Sequence, residues 1–140
     1  MAEPLYTLDI LRLATETGRW PLLSDADFSI ERRAPLCGSS LKLDLAVDAA
    51  GRISAVGMQP QSCAMGQASA SLFARHALGL RAEDIIAAHD ALAAWLTGAS
   101  DTPPDWPEVD QLAPARAYPA RHGAILLPFA AARAALAGEA

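Results

Sequence analysis

An amphipathic β-hairpin is the sequence feature that most limits what this chain can fold into. Between Leu41 and Val47 large apolar residues occupy every second position, and Lys42 and Asp44 lie between them. A turn at residues 48–51 follows, and residues 52–59 return as a second alternating segment. Because successive side chains of a strand point to opposite faces, one face of this hairpin is predicted to be buried. The hairpin therefore indicates an antiparallel sheet with a core on one side.

Helical patterns surround the hairpin. Ser62 is predicted to cap the helix that follows it, and glycines end the helical patterns. Helices are predicted at Leu5–Thr17, Cys63–Leu78, Ala82–Leu96 and Ala124–Ala137. A short third strand is predicted around Phe28–Ile30, and the proline-rich segment Thr97–Pro119 is predicted to be an ordered loop held by Trp106 and Leu112. The expected fold is α+β, a three-stranded antiparallel sheet with helices packed on one face, forming a single domain over residues 1–140.

Charge excludes several classes of partner. The chain has 11 Lys and Arg against 16 Asp and Glu, a net charge of −5, and it has no basic run. Nucleic acids and anionic membranes bind clustered cations, so neither is an expected partner. The charge-free stretch Ile53–Ala74 contains Gly57 and Pro60 and is not predicted to span a membrane. Glu3 and Asp9 argue against a signal peptide, and we expect a cytoplasmic protein.

Two cysteines, Cys37 and Cys63, are the candidate functional residues. Cys37 lies in a tight turn before the hairpin, where Gly38 permits a positive φ and the sulfur would lie at a loop tip. Cys63 lies at the predicted start of a helix, where free N–H groups and the helix dipole stabilise a thiolate. Both positions favour reactivity or metal binding. The alternative is a pair of buried, inert thiols, since a structural disulfide is not expected in this compartment.

The motifs around these cysteines carry a resemblance. The run Pro35-Leu-Cys-Gly, the hairpin, and the small-residue run Gln61–Ser71 occur in an order that resembles the U-type iron–sulfur scaffold family: IscU, SufU and the N-terminal domain of NifU. The resemblance spans about Leu5 to Leu136, and Thr97–Pro119 is similar to the insertion of SufU-like members. It implies a non-enzymatic scaffold that accepts sulfur from a cysteine desulfurase and passes the assembled cluster to acceptor apo-proteins. The implied cargo is iron, zinc or a transient [2Fe–2S] cluster.

Two ligand positions depart from the family pattern. Ser39 stands where the family has an aspartate, and Ala124 stands where the third cysteine is expected. Carried over residue by residue, the resemblance implies that Cys37 accepts sulfur and that Cys63 anchors the metal. The family's histidine falls at Gly123 here, and His122, one position earlier, is the candidate third ligand that would compensate. Because a [2Fe–2S] cluster usually has four ligands, stable binding would require a homodimer with two cysteines from each chain. Residues 118–122 replace the family's chaperone-recognition motif, so no dedicated chaperone partner is expected.

Three alternatives remain open. The chain could be a degenerate, non-catalytic scaffold paralogue that binds a desulfurase or acts as a regulatory zinc protein. Cys37 and Cys63 could instead form a reversible disulfide, provided that their Cα atoms lie within about 7 Å. His122 could be a polar residue flanking the last helix. His76 and His89 are predicted to be packing or surface residues.

Overall fold

Three antiparallel strands form one sheet in the order β1–β2–β3. They are β1 (Phe28–Arg33), β2 (Ser40–Val47) and β3 (Ile53–Gln61). The computed structural model describes residues 5–35 and 38–138. The predicted hairpin is confirmed: Ser40 pairs with Gln61 at its open end, and a register shift near Ala46 accommodates the turn. Leu41, Leu43 and Leu45 are all buried on the same face, as their alternation predicts.

The helices cover that face of the sheet. They are α1 (Leu8–Thr15), α2 (Ala64–His76), α3 (Ala82–Thr97) and α4 (His122–Ala137). Helices α2 and α4 pack against each other and against the strands, while α1 packs on α2 and α3 on α4. Short 3₁₀ segments occupy Thr17–Arg19, Val109–Ala117 and Pro119–Arg121. The expected α+β fold, a three-stranded antiparallel sheet with helices on one face, is confirmed.

The proline-rich segment between α3 and α4 is ordered by its two predicted anchors. Trp106 stacks on Phe73 and meets Phe129 edge to face, with ring centroids 5.8 and 5.0 Å apart. Its indole N–H donates to the Leu72 carbonyl at 3.0 Å, which satisfies the polar atom of a buried ring. Leu112 is also fully buried. These contacts hold residues 98–117 against α2 and α4.

A chain segment crosses the other face of the sheet. Asp44 and Gly57 face each other on β2 and β3. The Leu23 amide donates to the Asp44 carboxylate at 3.0 Å. A Cβ on Gly57 would lie 2.5 Å from the Pro21 carbonyl oxygen, a distance that a real side chain does not tolerate. The segment 21–23 therefore covers this face and buries Asp44, whose pattern predicts an exposed carboxylate.

The apolar residues of the first helix are only partly buried. Ile10 and Leu13 are buried, but Leu8 and Leu11 are exposed. The helix begins at Leu8 because the Thr7 hydroxyl accepts a hydrogen bond from the Ile10 amide and caps it. A single short helix can turn only one narrow face toward α2, so the remaining leucines face solvent.

Two other predicted helix details are also corrected. Cys63, rather than Ser62, occupies the N-cap position of α2, because the Ser62 hydroxyl bonds elsewhere. Helix α4 begins at His122 rather than Ala124, since a 3₁₀ turn at Pro119–Arg121 leads directly into it. Pro128 consequently lies in the second turn of α4, where it is buried.

Candidate functional site

The loop that carries the first predicted thiol is closed by its flanking residues. The Ala34 amide donates to the Ser39 carbonyl at 2.8 Å. Gly38 has a φ of +72°, the left-handed conformation that its place in the turn predicts. Cys37 itself lies outside the described residues. What the structure establishes is the frame of the loop, in which Ala34 and Ser39 are held together at the start of β2.

This frame contacts the residue that precedes the second cysteine, at one end of the hairpin. The Ser62 hydroxyl donates to the Ser39 hydroxyl at 3.1 Å. Ser39 is 4% exposed, so it lies beneath the surface at the position where the family has an aspartate. Since Ser62 immediately precedes Cys63, this hydrogen bond ties the loop of the first cysteine to the residue beside the second. Sequence alone does not predict the contact, because it joins residues 23 positions apart.

Cys63 lies at the start of α2, as predicted. It is a free, half-buried cysteine with extended backbone angles of −63° and 166°, and its thiol makes no capping hydrogen bond. Its carbonyl accepts the Gln67 amide at 2.9 Å, and the Gln67 side chain donates to the Ser62 carbonyl at 3.1 Å. The backbone around the sulfur is therefore fixed. The positive end of the helix dipole lies beside the thiol.

Ala124 is at the same end of the molecule. It is only 1% exposed, and its Cβ would lie 3.1 Å from a Cβ built on Gly66. Gly66 is one turn along α2 from Cys63, so the first turns of α2 and α4 are in close contact. The position at which the family's third cysteine is expected thus lies beside Gly66 and Ser62, next to the start of α2. In this chain that position holds a methyl group.

His122 makes a different contact. Its Nε2 lies 3.0 Å from the Ala115 carbonyl oxygen. A carbonyl can only accept, so Nε2 carries a proton and Nδ1 is the nitrogen that remains for a metal. The His122 ring lines a cavity together with Pro35 and Gly123. Cys63 is not among the described residues that line this cavity. Within the described ranges, no three His, Cys, Asp or Glu residues lie close enough to hold a metal ion. The metal role of His122 stays a prediction.

An ion cluster links α1, α2 and the proline-rich segment. Arg75 donates to Glu108 at 2.8 Å and to Glu16 at 2.9 Å, and His76 Nε2 lies 3.1 Å from Glu108. The hydrogen bonds from Arg75 and then His76 lower the pKa of Glu108. Because Glu108 follows Trp106, the cluster holds the proline-rich segment to α1 and α2. The sequence does not predict this cluster, because each glutamate lies more than 30 positions from the cations that it pairs with.

The described part of the chain has no helix of the length and apolarity needed to cross a membrane.

The fold and the arrangement at its end define a class of protein, the U-type scaffold domains. A three-stranded antiparallel sheet carries helices on one face, and Ser39, just before β2, bonds to Ser62, the residue before the cysteine that begins α2. The chain belongs to the family of NifU-like N-terminal domains, whose model matches residues 6–118. The predicted family is therefore confirmed. No curated protein matches the chain in sequence.

Solved structures share the fold over nearly the whole chain. A nitrogen-fixing NifU-like protein (N-terminal) from Brucella abortus is 29% identical, with a TM-score of 0.87, and the match covers 96% of this chain and 94% of that one. A candidate iron–sulfur cluster assembly scaffold protein for the SUF system, from thermophilic Fervidobacterium islandicum AW-1, is 20% identical, with a TM-score of 0.76 and coverage of 94% and 96%. The second likeness supports the fold alone.

Proposed function

We propose that this protein is an iron–sulfur cluster assembly scaffold that accepts sulfur from a cysteine desulfurase and holds iron, zinc or a transient [2Fe–2S] cluster on Cys37 and Cys63. The observation that carries the proposal is the 3.1 Å hydrogen bond between Ser62 and Ser39. It joins the loop of one cysteine to the residue beside the other. Membership in the NifU-like family supports the same cargo.

Sulfur acceptance needs no added oxidant. The Cys37 thiolate attacks the outer sulfur of a desulfurase persulfide, a new S–S bond forms, and the desulfurase thiolate leaves. The product is a persulfide on Cys37, and its later release as sulfide consumes two electrons from an external thiol reductant. Cys37 is suited to this step because its loop precedes β2 at a tight turn, with Gly38 in the left-handed conformation. The scaffold binds and transfers; it does not act as an enzyme in its own right.

Cys63 is the anchoring ligand in this proposal. Its backbone is fixed at the N-cap of α2, and a metal would take its thiol in the thiolate form. His122 would add Nδ1, and water would complete a four-coordinate zinc or iron site. A site with so few strong ligands suits a cluster that must leave again. Tighter cluster binding would use two chains, with two thiolates from each.

The central experiment is anaerobic reconstitution with ferrous iron, a desulfurase, cysteine and a thiol reductant. We expect a visible cluster chromophore that Cys37→Ser and Cys63→Ser each abolish. Mass spectrometry should find the persulfide on Cys37 in the Cys63→Ser variant. A persulfide confined to Cys63 in the unaltered protein would overturn the assignment of roles.

His122 is tested by a matched pair of variants. His122→Ala should reduce zinc stoichiometry or affinity, whereas His89→Ala, on α3, should leave both unchanged. Unaltered zinc binding in His122→Ala would remove His122 from the ligand set. Circular dichroism should show both variants folded.

A second function is favoured by the residues at the two altered ligand positions. Ser39 and Ala124 place a hydroxyl and a methyl group where the family pattern has two metal ligands. Such a site fits a scaffold paralogue that binds a cysteine desulfurase or acts as a regulatory zinc protein without building clusters. Tight desulfurase binding without any chromophore would favour this reading. Transfer of a cluster to an acceptor apo-protein would exclude it.

A further inference from the structure

A cavity of about 450 Å³ lies between the end of β1 and the first half of α4. Small-molecule sites typically have about 300–1,000 Å³. Its walls are mostly apolar, formed by Ala34, Pro35, Leu126, Leu127 and Ala130. An apolar, concave wall of this kind releases water when it receives an aliphatic group.

The polar side chains that line the cavity are all basic or imidazole groups. They are Arg32, Arg33, His89 and His122, and the described lining residues include no Asp or Glu. This sign is opposite to that of the whole chain, which carries a net charge of −5. An acidic protein thus has one concave surface whose charged groups are cationic. A ligand that fits it would carry a negative charge.

A carboxylate that contacts the lining residue His89 is already paired with a cation. Asp90 lies 3.1 Å from His89 Nδ1 and 2.8 Å from the Arg133 guanidinium. The hydrogen bond from His89, with that from Arg133, lowers the pKa of Asp90, so the carboxylate stays ionised and paired. Arg33, which is exposed at the end of β1, contributes positive charge at the mouth of the cavity.

We propose that this cavity binds a small organic anion with an apolar chain, of the class of aliphatic carboxylates. The chain would lie against Leu126, Leu127 and Ala130. The carboxylate would meet Arg33, whose planar guanidinium can donate two parallel hydrogen bonds. His122, a proposed metal ligand, also lines this cavity, but Arg33 and the three apolar residues are not proposed ligands, so the test below does not depend on the proposed scaffold function.

Sodium octanoate and octylammonium chloride are the matched probes, since they share a chain and differ in the sign of the head group. Isothermal titration calorimetry on the full chain should show saturable binding of octanoate, at least about fivefold tighter than octylammonium. Equal or tighter binding of octylammonium would overturn the proposal, as would an absence of octanoate binding.

Two variants test the position of the site. Ala120 is exposed on the 3₁₀ turn that lines the cavity, so Ala120→Trp should fill the cavity and abolish octanoate binding. Arg33→Glu should weaken binding at least about fivefold, whereas Lys42→Glu, with the same change of charge outside the cavity lining, should stay within about twofold. Circular dichroism checks the fold of each variant. Unchanged affinity in folded Ala120→Trp, or equal losses in both charge variants, would place binding elsewhere.

Discussion

The Ser62 hydroxyl donates a hydrogen bond to the Ser39 hydroxyl across the open end of the β2–β3 hairpin, at 3.1 Å. Two uncharged groups therefore meet where a U-type scaffold is expected to have a carboxylate beside a cysteine. The bond is compatible with burial because each hydroxyl can both donate and accept. It also leaves Cys63, the next residue, without a charged neighbour from this loop. Because Ser39 already accepts a hydrogen bond at this end of the hairpin, it is the position at which we would introduce a new metal ligand.

Ser39→Asp should raise the affinity for Zn²⁺ by about tenfold, because a carboxylate is a metal ligand and a buried hydroxyl is a poor one. Ser62 can donate to the new carboxylate and orient it. The measurement is competition with a chromophoric chelator under reducing conditions. Ser54→Asp is the control, since Ser54 is exposed on the same hairpin. An equal gain in both variants would show a general effect of charge and not a ligand at residue 39.

Ala124→Cys should lengthen the half-life of a reconstituted cluster by about threefold or more, because it adds a thiolate near Cys63. The residue is buried against Gly66, so the sulfur would enter from the first turn of α4. Decay of the visible chromophore in air measures the effect. Ala132→Cys, buried farther along the same helix, is the matched control. A half-life that is the same in both variants would contradict the placement of residue 124 in the site.

Gly57→Ala should lower the free energy of unfolding by about 2 kcal/mol, in the range typical of overpacked sites. The new Cβ would meet backbone atoms, the Pro21 oxygen at 2.5 Å and the Leu23 nitrogen at 2.8 Å, which cannot rotate away. Urea denaturation gives the value. Gly18→Ala, which meets nothing within 4 Å, should change stability by less than about 0.5 kcal/mol. If Gly57→Ala left the free energy of unfolding unchanged, segment 21–23 would not be packed closely against the sheet.

Glu108 should make stability depend on pH below neutrality. Arg75 and His76 lower its pKa in the folded protein, so the unfolded chain binds the proton more readily. The stabilisation is complete above the unfolded-state pKa, about 4.3 for a glutamate, and is lost as the pH falls through the lower folded-state value. It should amount to about 0.5–1 kcal/mol, since the pair is about one-third exposed. Urea midpoints across this pH range should fall less steeply in Glu108→Gln than in the unaltered protein. Glu31→Gln, at an exposed and weaker pair, should follow the unaltered protein.

Regular local patterns made much of the fold predictable. The alternation in β2 predicts which leucines are buried, because the side-chain period of a strand is two. Helix α3 was also predictable, since Glu83 and Asp84 lie in its first turn and Gly98 ends it with a φ of +83°. Each of these signals acts over a few residues. They do not depend on what the rest of the chain does.

Contacts between distant segments were not predictable in this way. Ser69 and Ser71 are fully buried polar residues within α2, and their hydroxyls donate to the Ile125 and Leu13 carbonyls at 2.6 Å. Both partners lie more than 50 positions away. The exposure of Leu8 and Leu11 has a similar origin, because only packing against α2 decides which side of α1 is buried. A periodic pattern identifies a helix but not the neighbour that covers it.

For the candidate site, the sequence by itself determined the two cysteines, the small residues around them and the turn at Gly38. Local conformational preference and side-chain chemistry are enough for those features. Only the tertiary structure decided that Ser62 bonds to Ser39 and leaves the N-cap to Cys63. It also placed Ala124 against Gly66 and oriented His122 toward the Ala115 carbonyl. These contacts depend on how α2, α4 and the hairpin pack together. A buried hydroxyl or imidazole must form a hydrogen bond, and the packing decides which group is within reach.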